Sequence, residues 1–366
     1  MDEFENPFTP SFGEIPAHVA GRKQIITDVA NALTKKSRSP ELTSLFSGAR
    51  GTGKTTLLSV LANKANASGW VSVNITALPG MLEDIEVSLI ERASHLASNS
   101  NSKHITGVQI SGIGGVSISE KTSEKTNWRS RVGKILDELN KTETGLFLTI
   151  DEVDPELPEL VELVAIYQHF VREGRKVALM MAGLPGKVSS IQSNKTVSFL
   201  RRAQGFTLGR INDFDVYDAL VKTITENGRQ ASENGLAEAV SSISGFPFLL
   251  QLVGYRSWNI NPTSKEISEK DFREGINIAK NEMKCRILDA TYREFSEGDE
   301  KFVRAMLQDE KETKTSDLVS RLKWSDSQVA QYRKRLINVG VVGYRGRGRV
   351  GFELPYFKEF LLENAW

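Results

Sequence analysis

The sequence predicts an α/β protein: a parallel sheet between layers of helices, then an all-helical region, then a small module of helices and a basic hairpin. Three observations predict it. Short apolar runs of strand length alternate with helix-period segments through about residue 210. Residues 212–288 carry helical periods only. From about 290 the pattern changes to three short helices, an Arg/Gly-rich hairpin and a last helix. The expected domains are 1–210, with an N-terminal segment and an inserted hairpin at 105–119, then 211–289, then 290–366.

Each element has a local cause. Pro7, Pro10 and Pro16 keep residues 1–22 irregular. Leu42–Ser47 reads as an apolar strand, Lys54–Ala67 as a helix, Trp70–Ile75 as a second strand and Met81–Ala97 as a helix. Residues 98–103, SNSNSK, form a polar linker. Val108, Ile110, Ile113, Val116 and Ile118, interleaved with Gly and Ser, predict the inserted hairpin. Trp128–Asn140 is helical, Gly145–Ile150 a strand ending in acids, Leu160–Arg172 a helix and Val177–Ala182 a buried strand. Phe206–Leu208 is a short last strand, after which strands stop. Gly228, Gly235, Gly245–Pro247 and Asn261–Pro262 break the helical region.

Composition bounds the function. With 39% hydrophobic and 25% charged residues, the chain is neither disordered, collagen-like nor a disulfide scaffold. The 47 Lys and Arg nearly balance the 46 Asp and Glu, so nucleic-acid binding would require a local basic patch. The lone cysteine, Cys285, sits in a helical segment and reads as a small core residue; a single cysteine fits a reducing compartment. The start, MDEFENPF, is acidic and lacks a leader's apolar core. No apolar run reaches the ~20 residues that span a bilayer. The expectation is a soluble, cytoplasmic protein with no membrane partner. The four histidines lack metal-ligand spacing.

Two motifs carry chemistry. Gly48, Ala49, Arg50, Gly51, Thr52, Gly53, Lys54 and Thr55 fit G-x-x-x-x-G-K-[ST], between a strand and a helix. Glycines let the backbone curl so that successive N–H groups face phosphates, and the following helix adds positive potential. Lys54 is the candidate for the β- and γ-phosphates, Thr55 for Mg²⁺ and Thr56 for the α-phosphate. Downstream, the strand Gly145–Ile150 delivers Asp151 and Glu152 at its carboxyl end, where open α/β sheets bind ligands. Asp151 is the candidate Mg²⁺ holder, and Glu152 the candidate base for the attacking water. The core is therefore expected to be of P-loop NTPase type.

These residues resemble the P-loop ATPases with a catalytic glutamate, and among them the AAA+ superfamily of the origin-recognition and replication-initiator type. That resemblance implies an ATPase core, a helical lid, a C-terminal winged helix, and ATP with Mg²⁺ as ligands. Ile15–Arg22 is similar to the superfamily's N-terminal box, which implies that Val19, Gly21 and Arg22 lie beside the adenine. Arg201 and Arg202 stand where the family places an arginine finger acting on a neighbouring subunit, implying a nucleotide-dependent homo-oligomer. The sequence departs from the family in two places. The strand ending Met180–Pro185 lacks the family's polar sensor. The lid segment Gly245–Leu250 lacks the second-sensor arginine and resembles instead the G-x-P motif of STAND signalling ATPases, which implies that Pro247 packs near the nucleotide. Arg256, two turns on, is a candidate substitute for the missing arginine.

The last module reads as a winged helix-turn-helix. Lys301–Leu307, Thr315–Leu322 (with Thr315 as N-cap) and Ser325–Val339 are its helices; Val341–Tyr344 and Val350–Leu354 are strands around Arg345, Arg347 and Arg349. Gln328, Gln331, Arg333, Lys334 and Arg335 lie off the third helix's apolar face and are candidate DNA contacts, as are the three hairpin arginines. Residues 314–349 hold nine Lys/Arg and two acids, a local charge of about +7. Two functions follow. One is an ATP-driven protein whose nucleotide state controls a module bound to duplex DNA. The other is a STAND-like ATP/ADP switch whose winged helix contacts a protein partner or its own core. A small-molecule kinase is disfavoured, because no compact acceptor-site lid follows the core.

Overall fold

Strand residues deliver alternate side chains to opposite faces, and here both faces are apolar. On β1 (Thr43–Ser47) Leu45 and Phe46 enter different cores. The same holds for Leu146, Phe147 and Leu148 on β3 (Gly145–Asp151), and for Leu179 and Met180 on β4 (Val177–Gly183). The sheet that results is parallel throughout and runs β2-β3-β4-β1-β5, with β2 at Trp70–Thr76 and β5 at Gln204–Thr207. The helices α1 (Lys23–Thr34) and α2 (Lys54–Ala67) cover one face. The other is covered by α3 (Met81–Asn99), α4 (Trp128–Asn140) and α5 (Pro158–Arg172). The computed structural model describes residues 3–11, 13–35, 37–99 and 127–364. The hairpin expected at 105–119 lies outside the described residues.

After β4 come α6 (Pro185–Ser193) and a 3-10 turn, Ser198–Arg202. The helical region then comprises α7 (Asp213–Glu226), α8 (Glu233–Ile243), α9 (Pro247–Ile260) and α10 (Glu269–Met283). Strands do not stop at 210 as expected: β6 (Gln230–Ala231) pairs in parallel with β7 (Glu266–Ile267). Two residues are too few for a hydrophobic period to register. The last strand of the large sheet also starts two residues early, although Leu208 continues it by donating its N–H to Ser47 O at 2.7 Å.

Cys285 is exposed, not in the core. It lies in a π-helical turn, Lys284–Leu288. Met283 and Leu288, five residues apart, are both buried. The wider turn brings such a pair onto one face, and leaves Cys285 and Arg286 between them exposed.

The C-terminal module follows a short helix, α11 (Asp289–Tyr292). It contains α12 (Glu297–Met306), β8 (Thr313–Lys314), α13 (Thr315–Leu322), α14 (Asp326–Asn338), β9 (Val342–Tyr344), β10 (Arg349–Phe352) and α15 (Phe357–Glu363). Its antiparallel sheet runs β8-β10-β9, an arrangement compatible with a winged helix. Its first helix begins earlier than expected, because Ser296 and Asp299 form a capping box there. Thr315 is not the N-cap of α13; Lys314 is, and the Thr315 hydroxyl donates to Gly348 O at 3.2 Å, fastening the helix to the hairpin.

The helical region and the module share one continuous apolar core, from Val216 through Phe272 to Leu361. The N-terminal segment belongs with that core and not with the sheet. Phe8 is 2% exposed against Trp258, and the Trp258 indole N–H donates to Phe4 O at 3.0 Å. Asn6 donates to Tyr255 O, and Gln251 accepts from the Thr9 N–H.

Candidate functional site

The loop after β1 and the end of β3 meet across β4. Gly48 donates its N–H to Gly183 O at 3.3 Å, and Val153 donates to Ala182 O at 2.9 Å. The end of β4 is therefore the floor between the glycine-rich loop and the acids. Gly51 and Gly53 both take positive φ, which lets the loop curl into the first turn of α2. Lys54 is buried, and its ammonium donates to Gly48 O at 3.1 Å and Ala49 O at 3.0 Å. Burial pushes its pKa down, while Glu152 and Asp151 draw it back up. Thr52 donates its hydroxyl to Ala49 O at 2.8 Å, closing the loop. Thr56, one residue past Thr55, is half-buried.

The Thr55 hydroxyl donates to Asp151 Oδ2 at 2.5 Å. The other carboxylate oxygen, Oδ1, accepts the Glu152 N–H at 2.9 Å. Glu152 is exposed and takes a left-handed backbone, φ +52°. A non-glycine residue adopts that region at a cost, and such residues gather at functional sites. The all-oxygen pair Thr55–Asp151 suits a hard, largely hydrated divalent cation. Among the described residues no cluster of three or more His, Cys, Asp or Glu side chains forms a protein-only metal cage.

The lid segment packs onto this loop. A β-carbon on Gly51 would stand 2.6 Å from the Phe246 ring, so only glycine admits that approach. Phe248 donates its N–H to Gly51 O at 3.3 Å, and Pro247 stands over Gly53, where a β-carbon would lie 3.6 Å from Pro247 Cβ. Arg22 is 9% exposed, its guanidinium donating to Gly209 O at 2.7 Å and Thr52 O at 3.4 Å. It ties the loop to the segment leading into the lid; burial lowers its pKa. Gly21 lies against Ile211, whose N–H donates to Gly245 O at 2.7 Å. Val19 is half-buried.

The C-terminal module reaches the same loop, a contact that sequence reasoning missed. A β-carbon on Gly340, φ +77°, would lie 2.8 Å from Ala49 Cα. Arg50 pairs with Glu294 at 3.0 Å. Asn338, at the end of α14, packs on Gly186 of α6. Arg210 donates to Glu353 O at 3.1 Å, and Tyr356 and Ser242 share a hydrogen bond at 2.6 Å. A glycine between the third helix and the hairpin, Gly340, is the one local sign of this approach.

The module's candidate contacts divide into two groups. The Gln328 amide carbonyl closes a capping box with Ser325. Arg335 pairs at 2.8 Å with Asp299, which is 1% exposed; Arg345 pairs with Glu353 and Arg349 with Glu312. Arg333 is half-buried, and its buried Nε has no partner among the described residues. Gln331, Lys334 and Arg347 are exposed and make no side-chain hydrogen bond or ion pair among the described residues. In the core, Arg201 and Arg202 end the 3-10 turn, exposed and likewise without a side-chain partner among the described residues. Arg256 is held by Glu282 of α10 and stacks on Tyr255.

Against solved structures, the chain is similar to the Walker-type ATPase of Pyrococcus abyssi, at 15% identity and a TM-score of 0.67 over 97% of this chain and 100% of that one. It is similar to the ORC2 protein of Aeropyrum pernix in its ADPNP–ADP complexes, at 13% identity and a TM-score of 0.54 over 99% and 97%. It is also similar to Cdc6p from Pyrobaculum aerophilum, at 14% identity and a TM-score of 0.51 over 98% of each chain. The chain thus has the fold of the AAA+ P-loop ATPases of the replication-initiator type. A family described as a domain of unknown function (DUF8462) matches residues 286–361. No curated protein matches the sequence. No helix among the described residues is long and apolar enough to cross a membrane.

Proposed function

We propose that the chain binds and hydrolyses ATP with Mg²⁺, and that its nucleotide state controls the C-terminal module. The hydrogen bond from Thr55 to Asp151, beside the buried Lys54, carries this reading. It unites a glycine-rich loop and an acidic strand end that lie far apart in sequence. In this reading the loop backbone from Gly48 to Gly53 cradles the phosphates, Lys54 neutralises them, Thr55 and Asp151 hold the hydrated Mg²⁺, and Thr56 touches the α-phosphate. The bound Mg²⁺ would offset charge on the transferring phosphoryl group. Glu152 orients the water and takes its proton. Val19, Gly21, Arg22 and Pro247 border the nucleotide. Arg201 and Arg202, exposed and without side-chain partners among the described residues, suit a finger offered to a second copy of the chain.

Calorimetric titration with ATP and Mg²⁺ tests the site. Wild type should bind, Lys54→Ala should not, and Glu152→Gln should bind yet lose turnover. Equal affinity in wild type and Lys54→Ala would refute the site.

The output is duplex DNA in the first reading, contacted through Gln331, Lys334 and Arg347. A second reading, the STAND-like switch, is favoured by a specific observation: the lid's Gly245–Phe248 segment and the module's Gly340 turn both pack on the phosphate loop. There the module's partner is its own core or another protein. Fluorescence anisotropy with duplex DNA, in ATP and in ADP over a salt series, separates the two. Binding that weakens with salt and differs between nucleotides supports the first; no binding at low salt in either nucleotide supports the second.

A further inference from the structure

Hydrolysis of a bound phosphate needs polar groups facing the terminal phosphate and the attacking water. The loop after β1 offers Lys54, and β3 offers Asp151 and Glu152. The strand between them, β4, offers none: it ends in Met180, Met181, Ala182 and Gly183, followed by Leu184 and Pro185. Yet this strand end is the floor of the site, bonded to Gly48 on one side and Val153 on the other.

A side chain packed on the first turn of α6, which follows β4, comes from the other end of the sequence. A β-carbon on Gly186 would lie 2.5 Å from Asn338 Cβ and 2.8 Å from Asn338 Cγ. Asn338 is half-buried, and its amide makes no side-chain hydrogen bond among the described residues. An amide brings two donor hydrogens and an acceptor oxygen to this point of the packing. Two residues on, the Gly340 turn abuts Ala49 of the phosphate loop. The end of α14 and the Gly340 turn just past it therefore meet the first turn of α6, three residues beyond β4, and the loop that would hold the phosphates.

We infer that Asn338 is a positioning residue for ATP hydrolysis, supplying from the docked C-terminal module the polar group that β4 lacks. The core then binds nucleotide by itself but hydrolyses it only with the module in place. This rests on the ATP-hydrolysis reading above.

The test uses the full chain as wild type, Asn338→Ala and Asn338→Ser, with affinity for a fluorescent ATP analogue and single-turnover hydrolysis in Mg²⁺ as readouts. Asn338→Ala should keep affinity within roughly threefold and lose about 100-fold in hydrolysis rate. Asn338→Ser, which keeps a hydroxyl, should recover at least about tenfold of that loss. Gly186→Leu, which wedges α14 away without altering Asn338, should reproduce the hydrolysis defect with affinity kept. Wild-type hydrolysis in Asn338→Ala overturns the inference, as does an equal loss in Ala and Ser accompanied by weaker binding, which marks a packing role. A wild type that takes up no nucleotide, or hydrolysis unaffected by Glu152→Gln, overturns the underlying reading as well; both are measured independently of position 338.

Discussion

Lys54 of the phosphate loop and four arginines of the C-terminal module are held in opposite ways. Lys54 is buried, and the acceptors it touches are neutral backbone carbonyls. In the module, Arg321, Arg335, Arg345 and Arg349 each meet a carboxylate: Asp309, Asp299, Glu353 and Glu312. A cation held by carbonyls keeps its net charge available to an anion. A cation held by a carboxylate has its field cancelled locally and serves the fold. All four of those acids lie outside residues 314–349, so a charge count over that window overstates what the surface presents.

Lys54→Ala offers the sharpest way to break this contrast. It should cost about 100-fold or more in ATP affinity, measured by titration, because no other cation in the loop is buried against it. Retained affinity would mean that the loop's backbone suffices. Arg22 probes the same idea through stability. Its guanidinium bonds the Gly209 and Thr52 carbonyls. Arg22→Ala should cost about 2 kcal/mol by leaving them without that donor, and should lower the thermal midpoint by several degrees. An unchanged midpoint would remove Arg22 from the loop's support.

The carboxylate-paired cations should show themselves through pH instead. Arg321 holds the Asp309 carboxyl at about 2, well below its ordinary value of 3.8. A carboxyl depressed in the folded state contributes stability that is full above about pH 4 and is lost as pH falls toward 2. The pair is partly solvated, so the contribution is about 1 kcal/mol. Denaturant titrations between pH 2 and 5 should give a shallower profile in Asp309→Asn; a profile identical to wild type would place the depression elsewhere. The smallest effects distinguish the two groups of module cations. Arg345→Ala and Arg349→Ala should each cost about 0.5 kcal/mol of stability, read by denaturation. Lys334→Ala with Arg347→Ala should leave stability alone and, if DNA is bound, reduce the salt slope of binding by about 2. A slope that responds to Arg345 and Arg349 instead would overturn the division.

Much of the fold could be read from residues in a row. The helix Trp128–Asn140 ends where its period ends, and Asn127 caps it. The strands of the sheet are short apolar runs whose neighbours are helices, and the loop Gly48–Thr55 carries its spacing within eight residues. The exceptions each involve a partner distant in the chain. Cys285 faces outward because a π turn shifts the helical register, which no apolar period announces. The N-terminal segment joins the lid because Phe8 finds Gly254 and Trp258. The candidate site divides in the same way. Its loop and acids were legible as motifs, whereas the approach of Gly340 to that loop depends on a contact across some 290 residues of chain, where no spacing rule applies.

The sequence by itself determined the alternation of strand and helix, the curled glycine-rich loop, and the pair of acids at a strand end. Each follows from backbone freedom and hydrophobic period over a few neighbouring residues. Only the tertiary structure decided which cations remain unpaired and which strand end lacks a polar group. It also brought the Gly340 turn, just past α14, against the phosphate loop. Electrostatics and close packing act through space, and the residues that neutralise a charge or fill a gap need not be near it in the chain.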